Sequence, residues 1–228
     1  MILDREPFDA PPLWPRVTTR IVTIIMCFGG TDRYREKHLA QRMAVLNHAL
    51  AALAQRSGWQ EIDAVLLPGG FLRTPEPVGH WPHPARRHYV ERSLAGQACI
   101  AASLKLDTIW KSATLVVGID SEPLNRRYGG DQFVSAWRDG SLLNLARKAF
   151  PVADEVYDED PAVWLSSQDA EQLERIVTLR HGQCALLFAC YDAFAVRARF
   201  AQRFADLRSV ALLRAMNGRI RKFPPEHK

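Results

Sequence analysis

The sequence predicts a layered α/β fold, a central sheet covered by helices. Three features carry that prediction. Short β-branched apolar runs alternate with stretches of helical periodicity between residues 20 and 119. An Asp139-Gly140 pair joins two further apolar runs, a strong hairpin signal. At 228 residues, 47% hydrophobic and 24% charged, with no internal repeat, the chain is long enough to bury a sizeable core, most simply as one domain.

Taken in order, residues 1–16 carry Pro7, Pro11, Pro12 and Pro15, which exclude regular helix and predict an extended arm ahead of a single domain over 17–228. Residues 20–28, Arg-Ile-Val-Thr-Ile-Ile-Met-Cys-Phe, read as a buried strand stopped by Gly29-Gly30. Thr31 or Asp32 then caps a helix on which Leu39, Met43, Leu46, Leu50 and Leu53 recur on one face. A second strand over 64–67 leads into a proline- and histidine-rich loop over 68–84, a helix over 86–106 and a third strand over 114–119. The hairpin follows, with runs at 132–137 and 141–146. Beyond a polar stretch holding Asp154, Glu155, Asp158, Glu159 and Asp160, residues 185–189 form another buried strand ending at Cys190; helix to about 208 and a last strand at 210–213 complete the reading.

No apolar run reaches the roughly 20 residues that span a bilayer, and the first six residues lack a secretory pattern, so a cytoplasmic protein without membrane association is expected. Cys27, Cys99, Cys184 and Cys190 are too sparse for a disulfide scaffold and form no CxxC pair, which predicts free thiols. The net charge of +5 belongs to the tail: residues 196–228 sum to +7 and the rest to −2. The tail arginines are interspersed with Phe200, Phe204, Leu207, Val210, Leu212 and Leu213, the pattern of a packed element with a wet face, and nucleic-acid binding is not expected.

A cysteine at the end of a buried strand sits where α/β sheets put ligands, at the carboxyl edge, although buried cysteines are usually inert packing residues. Three segments supply context for Cys190. The strand Ala64-Val65-Leu66-Leu67 ends in Pro68-Gly69-Gly70-Phe71; the hairpin ends in Ala146-Arg147-Lys148-Ala149-Phe150-Pro151; and His181-Gly182-Gln183-Cys184-Ala185-Leu186-Leu187-Phe188-Ala189-Cys190-Tyr191-Asp192 runs into the candidate thiol. In this order, over roughly residues 20–205, they resemble the nitrilase, or carbon-nitrogen hydrolase, superfamily. The resemblance implies a nitrilase-like αββα sandwich, abbreviated at the C-terminus because only 38 residues follow Cys190. It also implies a homodimer formed through residues 194–207, and hydrolysis of a small-molecule amide or nitrile through a cysteine thioester. Cys190 would be the nucleophile, Lys148 would stabilise the oxyanion, and Glu155 would stand for the second glutamate that positions substrate and water. A nearby lysine would also raise the thiolate fraction.

One position departs from the pattern: the general-base glutamate of the superfamily falls on Gly69, which cannot carry a proton. Loss of general acid-base help typically removes about 10²–10⁴-fold in rate. Glu76 and Glu122 are the nearest substitutes in sequence. The departure keeps open a catalytically silent protein that uses the scaffold for binding or assembly. Leu67-Pro68-Gly69-Gly70 also resembles the class I glutamine-amidotransferase and DJ-1 group, which would make Cys99 the nucleophile, although residues 97–102 look helical and lack an elbow. No cofactor or metal is expected: His80-Trp81-Pro82-His83 with His88 lacks acidic or thiol partners and reads as a loop with aromatic packing, and the glycine pairs lack a phosphate-binding frame.

Overall fold

The computed structural model describes residues 19–25, 38–56, 61–75, 81–122, 131–148 and 175–189. The N-terminal arm, Cys27, Glu76, Glu155, Cys190 and the segment 194–207 expected at a dimer interface lie outside the described residues.

The fold is mixed α/β. Eleven elements are described: β1 (Ile21–Thr23), α1 (Leu39–Ala54), β2 (Ala64–Leu66), β3 (Leu72–Thr74), α2 (His83–Arg92), α3 (Leu94–Ile109), β4 (Thr114–Ser121), β5 (Gln132–Arg138), β6 (Ser141–Arg147), β7 (Ile176–Thr178) and β8 (Cys184–Leu186). Six strands form one sheet in the order β1-β2-β4-β5-β6, with β3 paired to the far end of β4, while β7 and β8 pair with each other. β1, β2, β3 and β4 are parallel, and β5 and β6 return antiparallel.

Alternation along the strands divides the core in two. Val65, Leu115, Val117, Ile119, Phe133, Trp137 and Leu145 face α1, α2 and α3 and form the larger cluster. Ala64, Val134, Ala136 and Ala146 face the opposite way and pack against Val177, Leu179, Leu187 and Ala189 of the β7–β8 segment. The described residues therefore stack as helices, large sheet and hairpin. The helical stripe read from residues 39–53 holds: Leu46 and Leu50 are fully buried, and Leu39, Met43 and Leu53 pack against the same cluster. At the β5–β6 turn Asp139 (φ 50°) and Gly140 (φ 75°) are both left-handed, the backbone that a tight Asp-Gly hairpin demands.

Four elements differ from the sequence reading. β1 is not buried on both faces: Val22 points into the core, whereas Ile21 and Ile25 are 51% and 80% exposed, because among the described residues β1 pairs only with β2 and has one covered face. The stretch 68–84 is not one loop. β3 resumes pairing with β4 after a turn over 68–71, and α2 starts at His83 with proline in its first turn, where a missing N–H costs nothing. The helix expected over 86–106 breaks at Ser93, whose hydroxyl donates to Val90 O (2.9 Å) and accepts from Gly96 N (3.1 Å), ending α2 and capping α3 together. The strand expected over 185–189 is only β8, Cys184–Leu186, and Cys184 is exposed rather than buried. Among the described residues no helix is long and apolar enough to cross a membrane.

Candidate functional site

Between the large sheet and the β7–β8 hairpin lies a cavity of about 370 Å³. Among the described residues that form its wall, two carry polar side chains, Asp120 of β4 and Gln132 of β5. It reaches the carboxyl ends of β2 and β4, the edge where open α/β sheets bind ligands.

The turn over 68–71 builds one side of that wall. Phe71 N donates to Pro68 O at 3.2 Å, and Gly70 has φ +63°, so the backbone reverses at a residue without a Cβ. The turn lies directly on Gly118 of β4: a Cβ there would fall 2.6 Å from Gly69 Cα and 2.8 Å from Pro68 O. A Cβ on Gly70 would fall 2.5 Å from Asp120 Oδ2. Gly69 differs from both, since it lines the cavity and a Cβ built on it meets no atom of the described residues within 4 Å. Gly69 therefore faces the cavity with no described residue directly in front of it.

Asp120, Gln132 and Lys148 share one rung of the sheet. Asp120 pairs with Gln132, and Lys148 N donates to Gln132 O at 2.8 Å, which extends the β5–β6 ladder by one residue beyond Arg147. Alternation puts Lys148 on the same sheet face as Ala146, Gln132 and Asp120, with its own backbone about 10 Å from that of Asp120. Lys148 is 1% exposed, so it is not the solvated strand-end lysine that its position in the sequence allows. It stands behind Gln132 rather than in the cavity wall itself.

The third segment approaches from the hairpin. Residues 185–189 line the cavity up to Ala189, the residue before Cys190. Arg175, at the entry to β7 and 1% exposed, holds this segment: its Nη1 donates to Leu187 O (3.2 Å), its Nη2 donates to Arg147 O, and Leu187 N donates back to Arg175 O (2.8 Å). One guanidinium thus joins the strand that carries Lys148 to the strand that leads to Cys190.

On the other sheet face Arg147 Nε donates to Asp131 Oδ1 at 2.9 Å, a pair with side chains only 3% and 4% exposed. Burial, and then the charge of Arg147, lowers the Arg86 pKa to about 10, with Asp131 opposing. This pair is structural, because it faces the helices and not the cavity.

The remaining candidates fall outside the cavity. Glu122 lies beyond the end of β4 with its carboxylate 3.8 Å from Arg73 Nη1, and it does not line the wall. Cys99 sits inside α3 at 1% exposure, and burial pushes its thiol pKa well up, the reverse of an activated nucleophile. Trp81 packs edge-on against Tyr89 of α2, with ring centroids 5.5 Å apart. Among the described residues no three His, Cys, Asp or Glu side chains are gathered as metal ligands would be.

No protein-family model matches the chain, and no curated protein matches it. Asp120 is the residue that sequence reading passed over. The third strand runs two residues past Ile119, and continuing the alternation of Val116 and Gly118 would have placed a carboxylate on the same face.

Proposed function

We propose that the protein is a carbon–nitrogen hydrolase of the nitrilase type, with a four-layer αββα sandwich, that cleaves a small-molecule amide or nitrile through a thioester on Cys190. The observation that carries the reading is that the turn at Gly69, the strand residue Gln132 whose rung ends at the buried Lys148, and the segment that reaches Ala189 meet at one cavity, with Lys148 behind Gln132 rather than in the wall. In this reading Lys148 supplies the cation that stabilises the oxyanion and lowers the thiol pKa, and Glu155 positions substrate and water. A homodimer through residues 194–207 belongs to the same proposal.

A second reading, a silent relative that uses the scaffold for binding or assembly, is favoured by Gly69 itself. The two separate on the thiol. Peptide mapping after limited iodoacetamide treatment should show Cys190 labelled near neutral pH, lost in Cys190→Ser and slowed in Lys148→Ala. Cys184 is exposed and will label as well, so dependence on Lys148, rather than rank among the thiols, is the deciding readout. Gly69→Glu, whose Cβ meets no described residue within 4 Å, should raise turnover over a panel of amides and nitriles. Labelling at Cys190 that ignores Lys148, together with a silent Gly69→Glu, would leave only the scaffold reading.

A further inference from the structure

We propose that the cavity binds an uncharged, mainly apolar primary carboxamide whose head group is read by Asp120 and Gln132 together; that such a molecule is also the substrate rests on the hydrolase reading above. The described wall presents Val116, Val134, Val177 and Leu187 to a space of about 370 Å³, and Asp120 and Gln132 are its two polar side chains. A cavity of this kind takes up an apolar body and fixes its orientation through the few polar groups. Here those groups are neighbours, since Asp120 and Gln132 are paired directly across β4 and β5. Among the described residues the Gln132 side-chain amide has no hydrogen-bond partner, so it offers both a donor and an acceptor to whatever enters. A carboxamide is the complement of the pair: its N–H donates to the Asp120 carboxylate, and its carbonyl accepts from Gln132 Nε2. A nitrile brings no donor to Asp120, and an ionised acid sets a second negative charge against it.

The charges at this end of the cavity favour a neutral head. Asp120 and Glu122 stand 4.0 and 3.8 Å from the Arg73 guanidinium, and the buried Lys148 backs Gln132, so among the described residues two carboxylates meet two cations. Neither sign is in excess to draw an ion into an apolar space, where an unpaired charge is costly. Asp120 Oδ2 has its place beside Gly70 because that residue lacks a Cβ, which would fall 2.5 Å away. From Asp120 the wall runs back along β4 to Val116, about 13 Å of strand at about 3.3 Å per residue, long enough to lie against an extended hexyl chain.

The test is a set of ligand-observed NMR titrations of the full-length protein with hexanamide, hexanoate, hexanenitrile and acetamide. Hexanamide should bind about tenfold more tightly than hexanoate, which Asp120 repels, and than hexanenitrile, which leaves the carboxylate without its donor. It should exceed acetamide by about fourfold for each methylene buried. Asp120→Asn keeps the shape of the side chain but can donate, so it should abolish the discrimination against hexanoate. Gln132→Glu exchanges the donor for a second carboxylate and should weaken hexanamide about tenfold. Glu122→Gln, which lies off the wall, should leave the order unchanged. No binding of hexanamide, equal binding of amide and acid, a preference that survives Asp120→Asn, or an affinity that ignores chain length overturns the proposal. The same spectra show any hexanoate formed from hexanamide, so binding and turnover are read apart. The expected order without turnover supports the ligand and counts against the hydrolase reading; turnover without that order overturns the ligand and leaves the hydrolase reading standing.

Discussion

The Arg175 guanidinium donates to the main-chain carbonyl of Arg147, one residue before Lys148. Its other nitrogen holds Leu187 O at 3.2 Å, three residues before Cys190. Two nitrogens of one planar fork thus donate in a fixed geometry, which a lysine reproduces poorly. Arg175→Met should therefore leave two buried carbonyls without this donor, at about 1–3 kcal/mol each. The expected readout is local: hydrogen exchange at Leu187 and Lys148 should accelerate by more than global unfolding accounts for, and Arg175→Lys should recover only part of the protection. Equal acceleration throughout β4 and β5 would mean that the residue serves overall stability and not this junction.

The hairpin and the strand-helix alternation were legible in the sequence because each depends on local chemistry: Asp139-Gly140 needs two left-handed residues, and Leu46 and Leu50 need one helical face. What was illegible depends on partners distant in sequence. Residues 20–25 look like a central strand until it is known that β1 stands at the margin of the described sheet. Ser93 interrupts an apparently continuous helix because Gly96 lets α3 turn against the end of α2; a Cβ at Gly96 would meet Val90 O at 2.0 Å. Lys148 is a strand-end lysine in the sequence, and only its 1% exposure in the fold marks it as buried. Asp120 is found only by following β4 to its end and asking which face it lines.

The buried Asp131–Arg147 pair should respond asymmetrically to substitution. Replacing Asp131 by Ala leaves the Arg147 guanidinium in the interior without its carboxylate and with the Arg86 cation near, and breaking such a pair from one side costs about 3–5 kcal/mol. Replacing both residues by apolar ones removes the stranded charge, so the double variant Asp131→Ala/Arg147→Met should unfold at higher urea than Asp131→Ala alone. Additive losses would show that the two side chains are not energetically coupled.

A pH-sensitive contact ties the end of α3 to the β5–β6 turn. The Ser112 N–H, donated at 3.1 Å, and then a hydrogen bond with Asp139 hold the Asp107 pKa below the usual carboxylate value. The same bond with Asp107, followed by burial and the charge of Asp107, raises that of Asp139. The contribution of Asp139 is complete below its unfolded-state pKa and disappears as pH rises through its raised folded value; that of Asp107 disappears as pH falls through its lowered one. Asp139→Asn keeps a donor for Asp107, removes the repulsion and tolerates the left-handed backbone at this position. It should raise the melting temperature at pH 7 and flatten the decline in stability as pH rises above the ordinary carboxylate range. A parallel decline in wild type and variant would show that the carboxyl pair does not control it.

The turn at residues 68–71 makes a sharper prediction, because adjacent glycines on one cavity wall should behave in opposite ways. At Gly118 the atoms that a new methyl would strike are backbone: Gly69 Cα at 2.6 Å, Pro68 O at 2.8 Å and Gly70 N at 3.0 Å. Backbone cannot rotate away as a side chain can, so Gly118→Ala must push the turn off β4, with an overpacking cost of about 1–3 kcal/mol. Gly70→Ala meets Asp120 Oδ2 and also needs the left-handed backbone at φ +63°, so it combines a displaced carboxylate with strain. Gly69→Ala meets nothing, and by reducing the freedom of the unfolded chain it should leave stability unchanged or raise it by about 0.4–1 kcal/mol. Urea midpoints for the three variants should order Gly69→Ala at or above wild type and the other two clearly below it. Should Gly69→Ala fall with its neighbours, the space before residue 69 would not be open, and a glutamate there would no longer be an adequate test of the lost base.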